Sequence, residues 1–482
     1  MATPRPRRLV AGVVALALAV LLALGVVSGA FSTAATRVLY GTGLWVDGGA
    51  STVSPGTFDE PTPTAAPTTE PPSAPPPVLP AATSGPEIDP QGLAARIAAV
   101  DRTDVGRVGG VVFDGTGGVL YDSGGNTPMI PASTMKLLTA VGVLDTLGPG
   151  HRFTTSVVRA TPAGADAPPH LVLVGGGDPY LLTRADPDHP NRASLELLAK
   201  EVADALKTEG VTTVTVGHDA TLFAGPGWNP TWPSRYGDEV AATNALWVDG
   251  ARTEKRNPGP RDADPAAAAT KAFVAELARA GITATAGAAE QAPADATPVA
   301  EVRSESLDVI VESVLRHSDN DATEVLFRHV GRADGRSGSI ADAQQALRER
   351  LTELGVWVDG TRIVDGSGMS RENAIPARVV AGIVLLGLDD ARPQFRSLLT
   401  GLPLAAADGS LRGRFFSPGT EAGQGVVRAK TGTLTKVHAL GGYTRTASGR
   451  TVAFAFIVND GEPFPDRVFL DRVTSAVTAC GC

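Results

Sequence analysis

Apolar and polar positions recur along this chain with two different periods, and each change of period marks an element. Residues 91–100 repeat every three to four positions and predict an amphipathic helix. A strand pair at 107–113 and 118–121 follows. Met135, Leu138, Val141 and Leu144 then fall at helical spacing and predict a helix over about 131–147. Strands and helices alternate to about residue 220, with strands at 171–174 and 211–216. The stretch 228–264 is rich in proline and glycine, lacks a period, and predicts loop. Helical patterns return at 265–280, over 304–330 with a tight turn expected near 318, and at 340–354 and 376–388. The chain ends as three strands and a helix, at 426–430, 438–444, 451–458 and 465–478.

The N-terminus follows neither period. Arg5, Arg7 and Arg8 precede an uncharged apolar run from Leu9 to Val27. As a helix rising about 1.5 Å per residue, that run matches the hydrocarbon core of a bilayer. Its basic flank predicts that the remainder lies outside the cytoplasm. Ser28-Gly29-Ala30 offers a small-residue cleavage site, so residues 1–30 read as a membrane anchor or a signal peptide. Residues 51–90 hold 12 of the 37 prolines, and 31–90 reads as an extended tether that cannot bury a core. At 482 residues the chain has room for more than one folded unit. The net charge of −9 and the lack of a basic stripe argue against nucleic acid as a partner. The only cysteines, Cys480 and Cys482, make neither a disulfide framework nor a structural zinc site. No metal or cofactor is expected.

Three short motifs carry chemistry. Ser133-Thr134-Met135-Lys136 opens a predicted helix, where positions i and i+3 share a face, so a hydroxyl and an amine can meet. A desolvated lysine can lose its proton near neutral pH and activate a serine. Ser318-Asp319-Asn320 sits between two helical runs. Alone it is a helix cap; in a cleft, Ser318 could relay a proton and Asn320 grip a peptide bond. Lys430-Thr431-Gly432-Thr433 ends a predicted strand and presents a cation and two hydroxyls, suited to a carboxylate. Only seven lysines occur in the chain and two lie in these motifs. From the chain's own residue frequencies, all three motifs arise together by chance about once in a thousand sequences or less often.

In this order the motifs resemble those of the penicillin-binding proteins and serine β-lactamases. The chain is most similar to the class C low-molecular-mass group, the D-Ala-D-Ala carboxypeptidase/endopeptidases, through Gly175-Gly176-Gly177-Asp178-Pro179, Asp365-Gly366-Ser367-Gly368-Met369-Ser370 and Arg428–Thr435. From the residues alone, Gly175–Pro179 reads as a turn after the 171–174 strand and Asp365–Ser370 as a shaped turn. The resemblance implies an α+β, β-lactamase/transpeptidase-like fold: an antiparallel five-stranded sheet flanked by helices, plus an all-helical subdomain. It implies Ser133 as the acylated serine, Lys136 as general base and Ser318 as proton shuttle. Asn320 would clamp the substrate amide, and Lys430, Thr431 and Thr433 would hold its carboxylate. The N–H groups of Ser133 and Thr433 would form the oxyanion hole.

The implied partners are peptidoglycan stem peptides ending in D-Ala-D-Ala, β-lactams as covalent inhibitors, and a membrane through the N-terminal segment. About 180 residues separate Lys136 from Ser318, so an accessory domain is expected at 155–295, inserted between the two parts of the catalytic domain, 91–154 and 296–482. It is expected to steer substrate choice without joining in bond breaking, and to be excisable. Two alternatives share parts of this pattern. A β-lactamase would need a deacylating element, and no E-x-x-L-N follows Asn320. A non-catalytic wall-binding scaffold would not need all three motifs intact.

Overall fold

A computed structural model describes residues 85–482, apart from 163, 165, 166 and 257. The apolar run 9–27 and most of the proline tract therefore lie outside the described residues. Among the described residues no helix is long and apolar enough to cross a membrane.

In chain order the main elements are α1 (Pro90–Ala98), β1 (Arg107–Asp114), β2 (Val119–Ser123), β3 (Pro128–Met129), α2 (Met135–Leu147), β4 (Thr154–Ala160), β5 (His170–Val174), α3 (Leu195–Thr208), β6 (Thr213–Asp219), α4 (Pro265–Arg279), β7 (Thr283–Ala289) and β8 (Pro298–Arg303). They continue with α5 (Leu307–His317), α6 (Asn320–Val330), α7 (Ile340–Glu353), β9 (Ile375–Pro376), α8 (Ala377–Leu388), α9 (Arg396–Thr400), β10 (Arg428–Leu434), β11 (Val437–Arg445), β12 (Thr451–Asn459) and α10 (Pro463–Thr478).

The two chain-distant strand groups, β1–β2 and β10–β12, make one antiparallel sheet of order β10-β11-β12-β1-β2. Both faces are covered, which explains the nearly unbroken apolar runs in its central strands. Val111, Phe113, Ala453, Ala455 and Ile457 face a large core shared with α2, α5–α9. Val112, Val452, Phe454, Phe456 and Val458 face the opposite core, shared with α1 and α10. Helix α2 is buried at every position from Met135 to Leu144, as expected of a helix apolar on all sides. It runs through the middle of the helical layer and carries Lys136 inside the protein. The fold implied by the sequence is the one observed.

Residues 154–303 build a second five-stranded sheet of order β7-β6-β5-β4-β8, with its own core against α3 and α4. The strands that lead into and out of it are paired, Thr154 opposite Arg303, so this sheet hangs from two adjacent strands. The intervening stretch 228–261 joins neither sheet. It forms an irregular strap laid against α6 and the 364–370 turn. Asn229 Nδ2 donates to the Val364 carbonyl at 2.9 Å, and Trp232 Nε1 to Asp365 Oδ2 at 2.8 Å. Ala241 N donates to Asp321 Oδ1 at 2.7 Å, and Arg252 and Arg261 pair with Asp321 Oδ2 at 3.0 and 2.9 Å. Trp232, Val240 and Met369 form one small core, and Phe223, Ala241, Trp247 and Val325 belong to another. Clean excision of 155–295 is therefore not available: the cut would strip the buried Asp321 of all three partners and open two cores.

Candidate active site

Three turns converge at one edge of the first sheet. Ser133 lies in a 3-10 turn, Ala132–Thr134, that leads directly into α2. Ala132 before it is held at φ +47°, a left-handed conformation that disfavours any residue with a Cβ. Two glycines make that possible. A Cβ on Gly368, itself at φ +85°, would lie 1.9 Å from the Ala132 carbonyl oxygen. One on Gly432 would lie 2.6 Å from the Pro131 oxygen. The Asp365–Ser370 turn and strand β10 are thus pressed against the serine turn from two sides.

Lys136 Nζ is surrounded by three acceptors: Ser133 Oγ at 3.1 Å, Asn320 Oδ1 at 2.7 Å and the Ser367 carbonyl at 2.7 Å. Its side chain is wholly buried. Burial pushes its pKa down to about 8, against the opposing pull of Glu324, Asp365, Asp319 and Asp321. A lysine in that state is able to accept a proton from Ser133 near neutral pH.

Ser318 and Asn320 are placed by the junction of two helices. Ser318 closes α5 in the left-handed region, φ +58°, and Asp319 caps α6 by accepting from Ala322 N at 3.0 Å. The helix-capping reading holds: the cap sets the turn, and the turn brings Asn320 to Lys136 and Ser318 to Lys430. Asn320 Nδ2 donates to the Glu239 carbonyl of the strap at 3.1 Å.

The third motif sits within a strand and not at its end, as the sequence pattern suggested, because β10 runs on to Leu434 and stays paired with β11 throughout. Lys430 is buried and donates to Ser318 Oγ at 2.8 Å and to the Thr431 carbonyl at 2.9 Å. Burial, and then the charge of Lys136, hold its pKa well below the usual lysine range. Thr431 Oγ1 donates to Ser410 Oγ at 2.8 Å, and Thr433 is exposed on the same strand. All seven residues singled out in the sequence are thus carried by the turns and strand that meet at this edge.

What the sequence reading undervalued is the Asp365–Ser370 turn, whose Ser367 carbonyl is a direct partner of Lys136. The glycine segment 175–179 lies away from these contacts: the Gly177 carbonyl meets His329 Nε2 at 2.9 Å, in the last turn of α6, at the opposite end from Asn320. Among the described residues no group of His, Cys, Asp and Glu could hold a metal ion. Cys480 and Cys482 are joined in a disulfide at the C-terminus, packed on α1 and remote from these motifs.

An antiparallel sheet backed by a buried helix, with serine and lysine one turn apart at that helix's start, defines the class of serine acyl-transferring enzymes that recognise penicillin. Within it the chain belongs to the D-Ala-D-Ala carboxypeptidase 3 (S13) family, whose profile matches residues 93–240 and 234–469. It is 32% identical to carboxypeptidase DacB of Mycolicibacterium smegmatis over 84% of this chain and 88% of that one. It is 30% identical to a D-alanyl-D-alanine carboxypeptidase of an Actinomadura species, over 75% and 79% of the two chains. Among solved structures, penicillin binding protein 4 of Haemophilus influenzae shares the fold with a TM-score of 0.63 at 20% identity, covering 80% of this chain and 98% of that one.

Proposed function

We propose that this chain is a serine-type D-Ala-D-Ala carboxypeptidase of the cell envelope that works through an acyl-enzyme on Ser133. The contact that carries the reading is Lys136 Nζ against Ser133 Oγ, with the second lysine, Lys430, on Ser318 in the same cleft. Neutral Lys136 takes the hydroxyl proton as Ser133 Oγ attacks the carbonyl of the penultimate D-alanine. The developing oxyanion is held by the N–H groups of Ser133 and Thr433. Ser318, bonded to Lys430, passes a proton to the leaving amine of the terminal D-alanine, and the C–N bond breaks. Water then hydrolyses the ester and Ser133 recovers its proton.

Lys430, Thr431 and Thr433 supply the cation and hydroxyls for the substrate's terminal carboxylate, and Asn320 steadies its amide. A β-lactam enters the same sequence, but its leaving nitrogen stays tethered to the acyl group, so the adduct persists. The division of labour that goes with this reading assigns 91–154 and 296–482 to catalysis and 155–295 to an accessory domain acting on substrate choice. Residues 1–30 would place the enzyme outside the cytoplasm as an anchor or a cleaved signal, and 31–90 would tether it.

The test is intact-mass and peptide mapping after incubation with a penicillin. A stable adduct on Ser133, absent in Ser133→Ala, supports the reading. Rapid turnover of the penicillin points to a β-lactamase, and no adduct at all to a scaffold. The same purified protein should release D-alanine from a pentapeptide stem.

A further inference from the structure

Helix α6 carries a second polar group into the protein one turn beyond Asn320. Glu324 is 4% exposed, and its Oε1 accepts from both Gly366 N at 3.0 Å and Ser367 N at 2.7 Å. Those are consecutive amides of the turn whose next carbonyl, Ser367 O, accepts from Lys136 Nζ at 2.7 Å. A carboxylate that takes two neighbouring N–H groups fixes the two peptide planes that flank Gly366, and so holds the start of the turn from which the Ser367 carbonyl projects. One helix thus holds Lys136 twice, directly through Asn320 and indirectly through Glu324 and Ser367.

We propose that Glu324 is a positioning residue for acylation, keeping the Ser367 carbonyl on Lys136 and supplying a compensating carboxylate to the buried amine. This rests on the reading of Lys136 as the base. The charged groups around the pair are Asp319, Asp321 and Asp365, which favour the ammonium form, and Lys430, which opposes it. Arg328, a turn further along α6, also feels the carboxylate. Burial first, and then the charge of Asp365, push Glu324 above the usual carboxylate range. Of the charges that favour the ammonium form of Lys136, Glu324 is the strongest. Its removal makes the amine easier to deprotonate.

The distinguishing variant is Glu324→Gln. The amide keeps an oxygen acceptor for Gly366 and Ser367 but loses the charge. The measurement is the second-order acylation rate by a chromogenic or fluorescent penicillin from pH 5 to 10, on the folded wild-type and variant chains. The expected result is a plateau rate within about threefold of wild type, with the acidic limb moved to lower pH by about half a unit or more. Glu324→Ala, which loses acceptor and charge together, is expected to lower the plateau at least tenfold, because the Ser367 carbonyl is no longer held.

An acidic limb at the wild-type position in Glu324→Gln overturns the electrostatic role and with it the proposal, whether or not Glu324→Ala folds. Wild-type acylation by a folded Glu324→Ala overturns the positioning role. The reading of Ser133 and Lys136 fails separately, in the wild-type protein, if no Ser133 adduct forms.

Discussion

Lys430 Nζ donates to Ser318 Oγ at 2.8 Å, joining a sheet strand to a helix end 112 residues earlier in the chain. Under the proposed function the contact would give the second lysine two tasks. Its charge faces the place where a substrate carboxylate would dock, and its proton reaches the hydroxyl that would feed the leaving amine. The two tasks separate with the choice of substrate. Lys430→Ala should lower kcat/KM more for peptides with a free C-terminal carboxylate than for amide-capped analogues, by roughly 10- to 150-fold, matching a charge-assisted contact of about 1.5–3 kcal/mol. Equal losses on both would leave only the proton-relay task.

The proposed mechanism needs Lys136 neutral, and burial brings its pKa to about 8. Acylation should therefore rise about tenfold per pH unit below that value and level off above it. Lys136→Arg keeps the charge but stays protonated throughout, so it should lose about 10²–10⁴-fold in acylation rate and show no such limb. Stopped-flow acylation across pH decides this. Near-wild-type acylation by the arginine variant would mean that the lysine acts through charge alone.

Gly368 offers a way to disable the site without touching a functional side chain. A methyl group there meets the Ala132 oxygen at 1.9 Å on a backbone at φ +85°. Gly368→Ala should displace the Ser133 turn and reduce acylation by about 10²-fold or more. Gly413→Ala, where nothing lies within 4 Å, should acylate as wild type and serves as the control. Normal acylation by Gly368→Ala would show that the serine turn tolerates movement.

Asp321 is the clasp of the strap. It is buried, with Arg252, Arg261 and the Ala241 amide all upon it. Asp321→Ala leaves two guanidinium groups and an N–H without their partner, a loss of about 3–5 kcal/mol in urea unfolding. New protease cleavage between 228 and 261 should appear before global unfolding. Unchanged stability and an unchanged cleavage pattern would place the strap's hold in Asn229 and Trp232 instead.

The candidate site was legible because its residues are marked by side-chain type: Ser133 with Lys136, Ser318 with Asn320, and Lys430 with its threonines stand out in the sequence and lie together in the fold. What stayed hidden acts through the backbone. Ser367 reaches Lys136 with a carbonyl, which every residue has, so no letter in Asp365–Ser370 announces it. The strap has no period because its polar groups are satisfied by another part of the chain. Strand β10 was cut short in the sequence pattern because Lys430–Thr433 interrupts the apolar run, although its pairing with β11 continues to Leu434. Strands β7 and β8 escaped notice for the opposite reason: Thr283–Ala289 is small and mostly exposed, so it offers little contrast between faces.

The paired strands at Thr154 and Arg303 give the second sheet a narrow root, and a narrow root is a hinge. Were that the whole attachment, the sheet could swing through a wide arc on the timescale of loop motion. The strap removes that freedom. It fastens the far side of the insertion to Asp321 and Asp365, the residue after Asn320 and the first residue of the turn that supports Lys136. Together with Gly177 on His329 and Arg328 on Ala224 and Pro226, it holds the inserted sheet against the helices that flank the cleft. Under the proposed function, a bulky substrate held by this sheet would bear on α6, the helix that begins at Asn320.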